Sequence, residues 1–181
     1  MQPYRTLVLI ALLIHLLSAC GFQLRGAIDL PEGIEPFYLD AANKNDLLLI
    51  ELENIFKADN LVLTDNPADA NYQLIITRQK SDRRSTSIGN DGRIAEYQLI
   101  ERVTFVIKDK NGAIASGPNE ITDRQILENN PNRVISTESE EQLLRDEMKK
   151  SLARKVARQV SQFDYRAYEA KQPIEKANAP E

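Results

Sequence analysis

The stretch Tyr97-Gln98-Leu99-Ile100-Glu101-Arg102-Val103-Thr104-Phe105-Val106-Ile107 alternates so that Tyr97, Leu99, Val103, Phe105 and Ile107 share one face. A sustained period of two predicts a long strand with one buried side. Turn chemistry brackets it. Gly89-Asn90-Asp91-Gly92 precedes it, and Lys108-Asp109-Lys110-Asn111-Gly112 follows, with an Asn-Gly pair that favours a type I′ hairpin. Upstream, Tyr72, Leu74 and Ile76 show the same alternation and run into the polar segment Arg78 to Ser87. Downstream, Ala113 to Ile126 reads as a third strand. It is interrupted at Gly117-Pro118, where a bulge or an edge position is expected because proline donates nothing to a ladder. Three antiparallel strands in a meander follow from these signals.

Flanking segments change period. Asn45 or Asp46 can cap a helix in which Leu48, Leu52, Ile55 and Phe56 form one stripe, with Asn60 able to end it. Leu61-Val62-Leu63 then reads either as a short strand or as residues packed after a helix C-cap. Before that helix, Ile34 to Asp40 suits a first strand beginning after Pro36. After the meander, Thr137-Glu138-Ser139-Glu140 fits a capping box at the start of a long helix. Its core face is Leu144, Met148, Leu152, Val156, Val160 and Phe163, and Lys149, Lys150, Arg154, Lys155 and Arg158 read as its solvent side. The expected fold class is α+β: two helices on one face of a four-stranded mixed sheet, in the order β-α-β-β-β-α. The first two strands can make a right-handed crossover if they pair in parallel. Residues 169–181, polar and proline-containing, are expected to be a disordered tail.

The N-terminus has a different character. Arg5 is followed by an apolar run from Leu7 to Leu17, broken only by His15, and Leu17-Ser18-Ala19-Cys20 closes it. That run is too short for a permanent span, which needs roughly 20 apolar residues, and it has the form of a secretion signal. Residues 1–19 are thus expected to be a cleaved lipoprotein signal peptide, with Cys20 carrying covalent lipid and residues 20–33 forming a tether. Several acyl chains are needed for stable anchoring, since one binds only marginally. The segment around Cys20 resembles bacterial lipoproteins, and Gly21 in place of Asp implies the outer membrane.

Composition narrows the chemistry. The chain has one histidine and one cysteine, at His15 and Cys20. With the leader removed and the thiol acylated, residues 20–181 hold no imidazole or free thiol, so Ser-His-Asp and Cys-His catalysis and Cys or His zinc sites have no members. No catalytic residue, metal site or cofactor beyond the lipid at Cys20 is expected. The net charge of −4 argues against a nucleic-acid partner.

Three features together carry a family resemblance: Cys20-Gly21-Phe22-Gln23-Leu24-Arg25-Gly26, Ala95-Glu96-Tyr97-Gln98-Leu99 after the glycine turn, and Asn130-Pro131 before the last helix. With them the chain resembles the outer-membrane lipopolysaccharide-assembly lipoproteins, the LptE family, formerly called rare lipoprotein B. The resemblance implies an LptE-like domain over residues 34–168 and a non-enzymatic role. It implies a complex with the LptD β-barrel as plug and assembly partner. The domain would sit on the periplasmic side and within the barrel lumen, and it would bind lipopolysaccharide. Arg83, Arg84 and Arg93 flank the turn that lies deep in the barrel in that family, and Arg133 sits in the loop before the last helix. They are candidates to pair with phosphate or carboxylate groups of lipopolysaccharide, because guanidinium binds such groups bidentately. Arg83, Arg84 and Arg93 also suit a solvated strand edge, where charge discourages aggregation, and Arg133 also suits an exposed loop, where a single surface charge contributes little. Two other functions remain open: an accessory lipoprotein of another envelope machine, and a carboxylate-dependent hydrolase with paired acids about 5 to 9.5 Å apart.

Overall fold

A computed structural model describes residues 31, 33–89, 91–129 and 134–177. The strands are β1 (Phe37–Ala41), β2 (Leu63–Thr64), β3 (Tyr72–Ile88), β4 (Ile94–Asp109) and β5 (Ile114–Glu128). The helices are α1 (Leu47–Ala58), α2 (Val134–Ser161) and α3 (Tyr165–Ala177). The sheet order is β2-β1-β3-β4-β5, with β1 parallel to both β2 and β3 and the remaining pairs antiparallel. The α+β class agrees with the sequence reading, and two counts are corrected. Leu63–Thr64 adds a fifth strand at the sheet edge, and α3 adds a third helix.

Each helix boundary has a local cause. Asp46 caps α1 by accepting the Leu48 amide at 2.9 Å. At the other end Asn60 takes φ +63°, the Leu61 amide reaches the Phe56 carbonyl at 2.9 Å, and the Asn60 amide reaches Lys57 at 3.1 Å. These two bonds are a Schellman closure, sealed by the buried side chains of Leu61 and Phe56. Helix α2 starts at Val134, three residues before the expected capping box. Val134, Ile135 and Ser136 include no glycine or proline, and extending an existing helix costs little once it is nucleated. The predicted tail is helical as far as Ala177. Asp164 accepts the Ala167 amide at 2.9 Å, and Tyr165 and Tyr168 lie on one side of the first turn. Tyr165 is buried and stacks edge-on against Tyr72 at 4.7 Å, while the Tyr72 hydroxyl donates to Glu169. Burial, then that bond to Glu169, pushes the Tyr72 phenol above its ordinary range. An apolar anchor at the front of α3 thus holds a helix whose remainder is polar.

The core lies between the helices and one sheet face. Phe37, Tyr72, Leu74, Ile76, Val103, Phe105 and Ile107 meet Leu48, Leu52 and Phe56 of α1 and Leu152, Val156 and Val160 of α2. Farther along β4 and β5, Leu99, Leu127 and Met148 form a second small cluster. Beyond Ile76, β3 leaves β1 behind, and it pairs only with β4 from there to Ile88. At about 3.4 Å per residue this hairpin continues for roughly 40 Å. The opposite face of the sheet is not packed by α1 or α2.

Two turns differ from or refine the sequence reading. Gly112 has φ +79° but Asn111 does not have positive φ, so the β4–β5 turn is not type I′. It is a three-residue loop ending in a left-handed glycine, and the buried Asp109 carboxylate holds it by accepting the Asn111 and Ala113 amides at 2.9 Å. Gly117, at φ +107°, sits where the β4–β5 register shifts, in agreement with the expected bulge. A Cβ there would stand 2.8 Å from the Phe105 carbonyl oxygen and 3.1 Å from the Asn119 amide nitrogen. Gly117→Ala is therefore expected to lower stability by about 1–3 kcal/mol, read as a reduced urea midpoint. An unchanged midpoint would show that the bulge yields freely.

Candidate functional site

Alternation along β3 and β4 sorts the charged residues into two sets. Arg83 pairs with Leu99, and Arg84 with Gln98, so their side chains leave the hairpin on opposite faces. Arg83 turns to the helix side, where it bonds Glu141 of α2 at 2.8 Å and lies 4.6 Å over the Tyr97 ring. Arg84 projects from the helix-free face, exposed and without an ion pair among the described residues. Arg93 is exposed at the hairpin end. Its backbone closes the turn by accepting from the Gly89 amide at 2.7 Å and donating to the Asp91 carboxylate at 3.1 Å. Arg133, Asn90, Cys20 and the leader 1–19 lie outside the described residues. The three described arginines of that set thus divide: Arg84 and Arg93 are available at the distal hairpin, and Arg83 is engaged with α2.

On the helix side Arg83 belongs to a network. Arg145 of α2 contacts Glu101 at 2.5 Å and Glu141 at 2.7 Å, and Ser81 donates to the other Glu101 oxygen at 2.5 Å. Burial of Glu141 opposes its ionisation. The hydrogen bonds and charges of Arg145 and Arg83 outweigh that and hold the carboxyl below its usual range. Burial likewise opposes the charge on Arg145, and its two carboxylate partners reverse the balance and raise it. Glu101 and Glu141 are both occupied by arginine, so this acidic pair serves to fasten α2 to the hairpin. The basic residues of α2 are similarly used: Lys149 bonds the α1 cap Asp46 at 2.8 Å and Lys155 bonds Asp123 of β5 at 3.2 Å. Only part of that stripe is the solvent side expected from the sequence.

On the helix-free face the period of two collects Arg78, Lys80, Asp82 and Arg84 from β3, Arg102 from β4 and Arg124 from β5. Asp82 pairs with Arg102 and lies 3.4 Å from Lys80. Its carboxyl is held low, first by the Arg102 hydrogen bond. The sequence reading missed this set apart from Arg84. The signal was present in the i, i+2 spacing of Arg78, Lys80 and Arg84, which places them on one face.

Among the described residues no group of His, Cys, Asp and Glu is arranged to hold a metal ion, and no helix is long and apolar enough to cross a membrane. The fold and its surface define an α+β domain with one sheet face covered by helices and a long basic hairpin reaching past them. Residues 34–160 match the model of the LptE family, described as lipopolysaccharide-assembly. The chain is similar to the LPS-assembly lipoprotein LptE of Photorhabdus laumondii, at 23% identity over 84% of this chain and 83% of that protein. It is similar also to the LptE of Pectobacterium atrosepticum, at 24% identity over 86% and 83%. Lipoprotein B from Nitrosomonas europaea superposes with a TM-score of 0.66 at 26% identity, covering 79% of this chain and 92% of that one. The rare lipoprotein B of Shewanella oneidensis shares the fold, with a TM-score of 0.61. The chain belongs to the LptE family of lipopolysaccharide-assembly lipoproteins.

Proposed function

We propose that this chain is a non-enzymatic outer-membrane lipoprotein, anchored in the inner leaflet through lipid on Cys20, that plugs the LptD β-barrel and assists its assembly. In this reading it binds lipopolysaccharide at its distal hairpin and helps insert it at the cell surface. The observation that carries the reading is the family match over residues 34–160. The hairpin adds physical support: Arg84 and Arg93 are exposed, and Arg84 lacks an acidic partner among the described residues. Arg133, which directly precedes α2 in the sequence, belongs to the same proposal. Arg83 contributes less, because Glu141 already occupies its guanidinium.

Detergent extraction of the full chain is expected to bring down a large β-barrel in a stable complex. Capture of a different envelope machine, or of no barrel, would overturn the plug role. Reversing charge with Arg84→Glu and Arg93→Glu together is expected to weaken lipopolysaccharide binding by about tenfold or more, since charge-assisted bonds contribute about 1.5–3 kcal/mol each. Barrel capture should persist in that variant. Undiminished lipopolysaccharide binding would remove these arginines from the site.

A further inference from the structure

Lys80 and Arg102 face each other directly across the β3–β4 ladder, and like charges so placed are unfavourable by themselves. Arg78 stands two residues away on the same face, opposite Thr104, whose β5 neighbour is Glu120. These five residues line one depression of about 240 Å³ on the helix-free face. Asp82 alone answers both Lys80 and Arg102, and Arg78 makes no ion pair among the described residues. Arg84 and Arg124 continue the positive surface along the same face. The hydrogen-bond donors gathered here outnumber the acceptors that meet them among the described residues.

We propose that this depression is a binding site for a phosphoryl anion, separate from the hairpin-end arginines. Arg78, Lys80 and Arg102 bring N–H donors to one small concavity, and guanidinium matches phosphate oxygens two at a time. Thr104 adds a hydroxyl. Asp82 holds Arg102 in place by its hydrogen bond, which reduces the ordering needed on binding. Concavity favours a compact dianion over the flat acidic surface of another protein. Glu120 lines the same depression and repels an anion, so it lowers affinity for any phosphoryl group, the more so the greater the ligand's charge. The ligand chemistry is shared by free phosphate esters and by phosphorylated lipid headgroups. The proposal does not depend on Arg84 or Arg93.

The test is a titration of the full chain in detergent with inorganic pyrophosphate, followed by amide and side-chain NMR shifts. Saturating shifts centred on Arg78, Lys80, Arg102 and Thr104 are expected, weakened at least tenfold in Arg78→Glu with Lys80→Glu. Glu120→Gln is expected to tighten binding severalfold, an effect that a damaged fold would not produce. The Arg84→Glu, Arg93→Glu variant should retain most of the pyrophosphate affinity, so failure at the hairpin end and failure here are read separately. A second arm compares mixed micelles containing short-chain phosphatidic acid with micelles containing phosphatidylcholine. Stronger shifts with phosphatidic acid than with pyrophosphate assign the site to a lipid headgroup, and the reverse assigns it to a soluble phosphate. Shifts spread over all surface cations, absent in both arms, or unaltered by the Arg78 and Lys80 changes would overturn the proposal.

Discussion

Phe56→Ala is expected to destabilise the chain by about 3–5 kcal/mol, the range for deleting a fully buried aromatic ring. Phe56 is fully buried and meets Phe37 of β1 edge-on at 5.7 Å, so the substitution empties the contact between α1 and the sheet. It also removes half of the apolar seal with Leu61 at the helix end. Against a total of about 5–15 kcal/mol for a domain of this kind, such a loss is large. Urea unfolding of the full chain should show a strongly lowered midpoint with little change in slope. Ile50→Ala on the exposed side of the same helix, where the residue is 44% exposed, should move stability by about 0.5 kcal/mol or less. Equal effects at the two positions would contradict the assignment of the core face.

The second large effect is expected at Arg145. Arg145→Met leaves Glu101, only 4% exposed, without its cation, and breaking a buried pair on one side costs about 3–5 kcal/mol. The companion variant Glu101→Leu with Arg145→Met should recover most of that loss, because exchanging both charges for apolar groups is often neutral. A double variant as unstable as the single one would show that Arg145 acts through packing alone. The network also carries a pH signature. Glu141 has its carboxyl lowered in the folded chain, so the stability it contributes is present above the unfolded value of about 4.3 and is lost as pH falls through the folded value. Arg145→Met should flatten that acid-side slope, which urea midpoints measured from neutral pH downward would report.

The alternation that predicted β4 also placed Glu101 in line with Leu99 and Val103, an acid on the core face. Local pattern shows that such a residue needs a partner, but it does not show which one. Arg145 lies far along the chain, and only the docking of α2 across the hairpin brings the two together. Arg83 and Arg84 are a similar case. Adjacent strand residues point to opposite faces, yet which face the helices would cover depended on packing. The i, i+2 set Arg78, Lys80 and Arg84 was open to the same reasoning and was overlooked because the segment read as merely polar. The third helix was missed because composition over residues 169–181 outweighed the anchoring pair Tyr165 and Tyr168.

Periodicity and turn chemistry within a few neighbouring residues were enough to specify the α+β class, the meander, the apolar stripes of α1 and α2 and the family motifs. Long-range packing was needed to show that Arg83 is engaged while Arg84 is available, that Glu101 is paired with Arg145, and that Arg78, Lys80 and Arg102 share one depression. Those outcomes depend on strand register and on which sheet face the helices bury, and both are set by contacts between residues distant in the chain.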